Sequence, residues 1–201
     1  MPMKRTYFEE LAPRWDFLPG PPDAEARVER FLGGVLPPNC RRILDVGCGT
    51  GILVEPILRA APSIALLVEL DYAHAMLVEN RRKRQPEARV AYVCSDTASP
   101  PLADGIFDAV LCFNVLPHVD PLEPALRALL SALRPGGWLA VGHMMSSVLL
   151  NELHASIGGP VGEDRLLAAD KLAGLLRGIG TRIVRAEERE DGYLVLAEKQ
   201  E

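Results

Sequence analysis

The sequence has few cysteines, few aromatic residues and no excess of positive charge. Its 201 residues include four cysteines and 5% aromatic side chains, and the formal net charge is −5. No Cys-x-x-Cys pair or Cys/His cluster is present, so we predict neither a disulfide framework nor a metal site. The four widely spaced cysteines are Cys40, Cys48, Cys94 and Cys112.

Clusters of lysine and arginine are nearly absent, and this argues against a nucleic-acid partner, because neutralising phosphates requires grouped cations. The exception is the Arg-Arg-Lys-Arg run at residues 81–84. It follows a helical pattern, and four consecutive charges cannot share one helix face. We interpret it as a solvated helix end whose cations complement the helix dipole. A local contact with an anion or RNA is the alternative.

Long apolar runs are also missing. The first 15 residues, MPMKRTYFEELAPRW, lack the apolar core of a secretory signal. No uninterrupted apolar stretch approaches the length that spans a bilayer, so we predict no membrane partner and a cytoplasmic location. The hydrophobic fraction of 48% and the charged fraction of 24% are typical of a folded globular chain.

Prolines and glycines divide the chain into two parts. Pro-Gly-Pro-Pro at 19–22 follows a segment of mixed aromatic and charged residues, and Pro37-Pro38 ends a helical pattern over 23–35. We therefore predict that residues 1–40 form a helical arm or cap and that residues 41–201 form the ligand-binding domain. The aromatic residues Tyr7, Phe8 and Trp15 either fold over a ligand cleft or anchor the arm to the core.

From residue 41 onwards, short apolar runs alternate with helical patterns. This alternation predicts an α/β fold with a mainly parallel sheet covered on both faces. The last two strands flank the short turn 190–192, so we expect an antiparallel hairpin. Strands are predicted over 43–46, 64–70, 90–94, 107–113, 138–141, 182–186 and 193–197, and helices over 52–61, 73–84, 122–133 and 168–177.

The most informative segment is Asp-Val-Gly-Cys-Gly-Thr-Gly at 45–51, between the first predicted strand and a helix. Its glycines allow positive φ and close approach of a ligand to the backbone, although a simple tight turn would use them too. The next two strands end at Glu69-Leu70-Asp71 and at Asp96. These acids meet at the carboxyl edge of the sheet, where open α/β folds bind ligands and a carboxylate can accept ribose hydroxyls. Ile52 replaces the third glycine of the dinucleotide fingerprint, which disfavours NAD.

Together these segments resemble the class I S-adenosylmethionine (SAM)-dependent methyltransferases of the broad small-molecule type. Residues 45–51 resemble that family's first motif, and Asp71–Leu77 resembles the second, with Ala73 where serine is common. Residues 133–139, Leu-Arg-Pro-Gly-Gly-Trp-Leu, resemble its turn into the fifth strand. The resemblance covers nearly the whole chain. It implies a Rossmann-like three-layer sandwich with a seven-stranded sheet in the order 3-2-1-4-5-7-6, strand 7 being antiparallel.

The resemblance also implies SAM as the cofactor and assigns its contacts. The loop glycines would pack against the methionine part and ribose, Asp45 would orient the loop or meet the ammonium group, and Asp71 would bind ribose, with Glu69 as its rival. Asp96 and Thr97 would flank adenine. Asn114 would lie near the methionine moiety or serve only as a cap. The predicted cofactor-binding residues are Asp45, Gly47, Cys48, Gly49, Gly51, Glu69, Asp71, Tyr72, Asp96, Thr97 and Asn114.

The chemistry is less well defined than the cofactor site. Methyl transfer depends on alignment, and a base is needed only when the acceptor must lose a proton. His143 after the fifth strand is our first candidate base and His118 after the fourth is the second; ordinary loop or backbone-bonding roles are the alternatives. The insertion at 146–164 is predicted to be a lid or acceptor-binding loop. A metal site of His143, His154 and Asp164 is not predicted, because their spacing is not diagnostic.

The function that the sequence favours is methyl transfer from SAM to an unidentified small-molecule acceptor by a monomer or homodimer. Two other functions stay open: a SAM-binding sensor or partner subunit without activity, and a protein or RNA methyltransferase. The loop Asn-Val-Leu-Pro at 114–117 lacks the Asn-Pro-Pro-Tyr type of run, which disfavours methylation of nucleobase nitrogens.

Overall fold

The computed structural model describes residues 2–37 and 39–200. Pro38, which was predicted with Pro37 to end the helix of the arm, lies outside the described residues.

Seven strands form one sheet in the order β3-β2-β1-β4-β5-β7-β6. The first five strands run parallel, and β7 is antiparallel to both of its neighbours. The strand order and the single reversed strand are therefore as predicted. The strands are β1 (Arg42–Val46), β2 (Leu66–Asp71), β3 (Val90–Cys94), β4 (Phe107–Phe113), β5 (Leu133–His143), β6 (Thr181–Arg189) and β7 (Gly192–Lys199).

Helices cover both faces of this sheet. Side chains of α5 and α7 pack on one face, and those of α2 and α3 pack on the other. The first helix, α1, lies against α4 at the carboxyl edge. The helices are α1 (Pro2–Leu11), α2 (Ala24–Leu32), α3 (Val54–Ala60), α4 (His74–Arg82), α5 (Leu122–Ala132), α6 (Ser147–Ile157) and α7 (Ala169–Gly178), and 3-10 turns span Ala12–Phe17, Leu116–His118 and Gly159–Val161.

The central strand β4 shows why the sheet needs both layers of helices. Val110 and Cys112 are buried under the α5 and α7 side, whereas Ala109 and Leu111 are buried under the α2 and α3 side. A parallel strand buried on both faces is expected to be almost continuously apolar, as this one is. On α5, the buried residues Ala125, Leu126, Leu129 and Leu130 repeat at helical spacing, and the helix itself confirms the one predicted over 122–133.

Two segments differ from the sequence-based prediction. The fifth strand begins at Leu133 rather than at Trp138, because Leu133 already pairs with Phe107 before a register irregularity. The predicted turn at 135–137 therefore lies inside the strand. The insertion at 146–164 contains a regular helix, α6, whose N-cap Ser146 accepts a hydrogen bond from Leu149 N.

Within the described residues, no helix combines the length and apolar character needed to cross a membrane.

Candidate functional site

One pocket lies at the carboxyl edge of the sheet, beside the ends of β2, β3 and β4. We call it the edge pocket; its empty space is about 690 Å³ including the open mouth. Its lining includes eight of the predicted cofactor-binding and base residues: Gly47, Gly49, Asp71, Tyr72, Asp96, Thr97, Asn114 and His118. It also includes Phe8, Trp15, Met76, Val115, Val119 and Asp120.

The glycine loop presents bare backbone to the edge pocket. Gly47, Gly49 and Gly51 all have positive φ, at 63°, 53° and 83°. A Cβ at Gly47 would collide with Val115, and one at Gly51 would collide with Asn80. A Cβ at Gly49 would meet no protein atom within 4 Å. Packing of the protein itself therefore requires two of the glycines, whereas Gly49 keeps open the space that a ligand would enter.

Asp71 connects the end of β2 to this loop. Its Oδ2 accepts a hydrogen bond from Gly49 N at 2.9 Å, and its Oδ1 accepts one from Ala73 N at 2.8 Å. Burial raises the pKa of Asp71, and these two backbone hydrogen bonds oppose that rise. Because a carboxylate oxygen has two lone pairs, each oxygen retains one for a ligand hydroxyl.

Asp45 and Glu69 lie beneath the loop and do not line the edge pocket. They are register partners on β1 and β2, and Glu69 Oε2 accepts a hydrogen bond from Asn80 Nδ2 at 2.8 Å. Asp45 Oδ2 and Glu69 Oε1 have no partner among the described residues. Burial and then the charges of Glu69 and Asp71 raise the pKa of Asp45. Of the two rivals for ribose, Asp71 is therefore the one at the pocket; Cys48 and Gly51 also lie outside its lining.

The ends of β3 and β4 supply the opposite wall. Asp96 is exposed, and its Oδ1 accepts a hydrogen bond from Ala98 N at 2.8 Å. Asn114 has a φ of 56°, and its Oδ1 accepts a hydrogen bond from Met144 N at 3.1 Å. The Asn114 side chain thus ties the end of β4 to the residue after β5, a cap-like role, while the residue also lines the pocket.

The two candidate bases occupy different environments. His118 lines the edge pocket, and its Nδ1 lies 2.6 Å from Asp164 Oδ2. His143 is 4% exposed and does not line that pocket, and its Nε2 has no partner among the described residues. Burial, followed by the nearby His118 and His154, lowers the pKa of His143 to about 3. This geometry reverses our order of preference and makes His118 the first candidate.

A metal centre at these histidines has no support from the fold. Among residues 2–37 and 39–200, no group of three or more His, Cys, Asp or Glu side chains is arranged to hold a metal ion. His154 Nδ1 instead lies 3.1 Å from the backbone oxygen of Asp164. The sequence analysis considered Asp164 only for a metal site that it did not predict, and the pattern gave no sign of the contact with His118 because 46 residues separate the two.

The N-terminal arm closes one side of the edge pocket. The Phe8 ring centroid lies 5.8 Å from that of Trp15, 6.1 Å from that of Tyr72 and 5.0 Å from that of His118. These aromatic contacts both line the pocket and anchor the arm, so the two interpretations of the arm's aromatic residues hold together. Thr50 Oγ1 further donates a hydrogen bond to Asp16 Oδ1 at 2.6 Å.

Glu9 of the arm caps the first turn of α4. Its carboxylate accepts hydrogen bonds from His74 N at 2.8 Å and Ala75 N at 2.7 Å. Partial burial opposes the charge, but the hydrogen bonds from Ala75 and His74 hold the pKa of Glu9 below its ordinary value. A lowered folded-state pKa means that this stabilisation is present above the ordinary carboxyl pKa and is lost as the pH falls through the lowered value.

Replacing Glu9 by Gln should lower the free energy of unfolding by about 1 kcal/mol at neutral pH, because one acceptor and the charge at the helix N-terminus are lost. Urea denaturation measures this change. Glu10→Gln is the matched control, since Glu10 is an exposed glutamate of the same helix that does not cap α4. Equal stability of the two variants would contradict the capping role.

Comparisons with known proteins agree with this geometry. A family model described as a methyltransferase domain matches residues 44–141. An uncharacterized methyltransferase of Mycobacterium tuberculosis is 29% identical over 133 residues, covering 66% of each chain. The 27-O-demethylrifamycin SV methyltransferase of Amycolatopsis mediterranei is 32% identical over 128 residues, covering 61% of this chain and 46% of that protein. The chain thus spans less than two thirds of the length of these relatives.

A solved structure extends the similarity to the whole fold. A SAM-dependent methyltransferase of Thermotoga maritima superposes on this chain with a TM-score of 0.75 and 20% sequence identity. The superposition covers 98% of this chain and 100% of the Thermotoga chain. At this identity the match shows the fold alone.

Proposed function

Since the chain belongs to the class I SAM-dependent methyltransferases, we propose that it transfers a methyl group from SAM to a small-molecule acceptor. The observation that carries this proposal is the edge pocket, in which the open backbone at Gly49 lies beside the carboxylate of Asp71. When bound, SAM supplies a methyl group on a positively charged sulfur. The protein then has to align an acceptor with that methyl and exclude water.

The residues of the edge pocket fit this cofactor. The Tyr72 hydroxyl is buried without a partner among the described residues, which is the state of a group that awaits a ligand. The open space at Gly49 is a cradle that any side chain would fill. In this proposal Asp71 accepts the ribose hydroxyls, Asp96 and Thr97 flank adenine, and Asn114 lies near the methionine part. Asp45 acts from beneath by orienting the loop.

The acceptor is proposed to be a small molecule for two reasons. The N-terminal arm lines one side of the edge pocket with Phe8 and Trp15, which makes the pocket an aromatic cleft of small-molecule width rather than an open track for a polymer. The Amycolatopsis relative is also named for a small-molecule substrate. In this view residues 1–40 act as the cap over a methyltransferase domain formed by residues 41–201.

Replacing Gly49 by Ala tests the cofactor site. We expect SAM and S-adenosylhomocysteine to bind at least tenfold more weakly, measured by calorimetry, because the added methyl group enters the ligand space. Gly105→Ala is the matched control: Gly105 has a φ of 67°, meets nothing within 4 Å with an added Cβ and lies outside the edge pocket. Both variants carry similar backbone strain of about 1–3 kcal/mol.

Affinity for SAM that is unchanged in Gly49→Ala, or lowered equally in both variants, would contradict the proposed site. Release of S-adenosylhomocysteine from SAM in the presence of metabolite extracts separates the enzyme from a sensor. Tight SAM binding with no release in any extract would favour the non-catalytic alternative.

A further inference from the structure

The contact between His118 and Asp164 joins two elements that are distant in the sequence. His118 ends the 3-10 turn that follows β4, and Asp164 follows the turn Gly159–Val161 after α6. The His118 Nδ1 to Asp164 Oδ2 distance is 2.6 Å, and the Lys4 Nζ to Asp164 Oδ1 distance is 2.5 Å. The Asp164 side chain is only 9% exposed. Each oxygen of this nearly buried carboxyl group therefore has a cationic or N–H partner.

The Asp164 carboxylate is charged at neutral pH. Its burial opposes the charge, but the hydrogen bonds from His118 and Lys4 hold its pKa below the ordinary aspartate value. A charged carboxylate can only accept hydrogen bonds, so His118 Nδ1 must be the donor in this contact. In the neutral form of the ring the proton therefore lies on Nδ1, and Nε2 carries the lone pair. Within residues 2–37 and 39–200, no hydrogen bond engages His118 Nε2.

The His118 ring is held by several elements at once. Its centroid lies 5.0 Å from the Phe8 ring of α1 and 5.1 Å from the His154 ring of α6. Because the ring also lines the edge pocket, an imidazole of fixed orientation faces the space where an acceptor would lie. A carboxylate that fixes the tautomer, and a second ring nitrogen without a hydrogen-bond partner on a residue that lines the pocket, are features that suit a general base.

We propose that His118 is the general base for methyl transfer, that Asp164 is its positioning residue, and that the acceptor is a phenolic or enolic hydroxyl compound. The inference rests on the proposed function. In the step, the acceptor O–H bond breaks and its proton moves to His118 Nε2. The oxygen electron pair forms a bond to the methyl carbon, the carbon–sulfur bond breaks, and its electron pair stays on sulfur. The products are a methyl ether, S-adenosylhomocysteine and a protonated His118, which returns the proton to water.

The chemistry of the base selects this acceptor class. A phenol, with a pKa of about 10, is almost entirely neutral at pH 7 and gains from a base that removes its proton. A thiol, with a pKa of about 8.5, ionises appreciably without help. An aliphatic alcohol is too weak an acid for imidazole, and an alkylammonium would bring a second positive charge towards the sulfonium and Lys4. The aromatic walls Phe8, Trp15 and Tyr72 also suit a flat ring.

The experiment compares two phenols of different acidity, catechol and 4-nitrocatechol; a hydroxyl of the latter is already ionised near neutral pH. In His118→Gln we expect kcat for catechol to fall about 100-fold. For 4-nitrocatechol the fall should be less than about tenfold, because no proton then needs to be removed. The affinity for SAM, measured by calorimetry, should be unchanged. A loss from misfolding would lower both activities and the binding of SAM together.

Asp164→Asn tests the positioning role by its effect on the pH profile. The titratable groups around His118 are Asp164, Lys4 on α1, His154 on α6, His143 on β5, and Asp120 on the pocket wall. Removing one negative charge from this set should move the acid limb of the kcat profile for catechol to lower pH and reduce its plateau. A purely structural role would reduce the plateau without moving the limb.

Several results would overturn the proposal. Equal losses of activity on both phenols in His118→Gln, or no loss on either, with SAM binding intact, would exclude His118 as the base. Transfer to 2-phenylethylamine but to neither phenol would exclude the hydroxyl class. Failure of the wild-type chain to bind SAM would instead overturn the proposed function on which this inference depends.

Discussion

Replacing Asp71 by Asn is expected to lower the affinity for SAM by at least two orders of magnitude. In the proposed complex both ribose hydroxyls donate to this carboxylate, and a hydrogen bond to a charged group contributes about 1.5–3 kcal/mol. Two such bonds amount to about 3–6 kcal/mol, and every 1.4 kcal/mol is a factor of about ten. The amide also turns an N–H group towards Gly49 N or Ala73 N, each of which now donates to a carboxylate oxygen.

Asp96→Asn is the control for this variant. Asp96 is the exposed carboxylate of the same pocket, and one of its oxygens already accepts a hydrogen bond from Ala98 N. Because exposed charges contribute little, its replacement should reduce the affinity for SAM less than about fivefold. Calorimetric titration of both variants measures the difference. Equal losses would mean that negative charge in the pocket, rather than the position of Asp71, determines binding.

The sheet could be predicted because its signals are local. Each parallel strand is a short apolar run that ends at a turn, and β3 and β4 have the bounds that the sequence indicated. Parallel strands bring their carboxyl ends to one edge, so the sequence alone was enough to predict that Asp71 and Asp96 lie near each other, whereas the place of Asn114 came from the family resemblance. The seven-stranded order came from the family resemblance and not from the apolar pattern.

The local sequence pattern could not decide whether Glu69 or Asp71 lies at the ligand pocket. Residues two apart on a strand point to the same face, so periodicity treats them alike. They differ in depth: Asp71 ends β2 at the pocket, whereas Glu69 lies under the loop with 0% exposure. That difference depends on where the glycine loop crosses the sheet, which is a tertiary feature.

The burial of His143 could not be read from the sequence for a similar reason. His143 ends β5 at the ligand edge, but it pairs with Tyr193 of β7, and the Tyr193 ring centroid lies 5.9 Å from that of His143. These contacts bury the side chain. His118 became our first candidate because of its contacts with Asp164 and Phe8, which are distant from it in the sequence on either side. No spacing rule connects such residues.

Glu69→Gln is expected to stabilise the protein by about 3–4 kcal/mol at alkaline pH, since each pKa unit corresponds to about 1.4 kcal/mol. Burial is the main reason that the pKa of Glu69 is raised to about 7, and its hydrogen bond from Asn80 only partly offsets this effect. The substituted amide would still accept that hydrogen bond through its carbonyl oxygen. Its N–H₂ group would face Asp45, whose Oδ2 has no partner among the described residues.

The sign of the pH dependence follows from the raised pKa. A folded-state pKa above the unfolded value of about 4.3 means that unfolding releases a proton, so stability falls as the pH rises from there through the raised value. The Glu69→Gln variant has no carboxyl group at this position and therefore does not lose this stability as the pH rises. Its advantage over the wild type should be small at about pH 5 and fully developed at about pH 8.5, as measured by urea denaturation.

Glu152→Gln provides the matched control, because Glu152 is exposed on α6 and the same exchange of carboxylate for amide should change stability by less than about 0.5 kcal/mol at either pH. A loss of stability in Glu69→Gln at about pH 8.5 would show that Asn80 and the nearby Arg84 stabilise the charged carboxylate more than burial destabilises it. In that case Glu69 of the wild-type protein would be charged beside Asp45. The raised pKa of Asp45 would then be the main cause of the loss of stability at alkaline pH under the glycine loop.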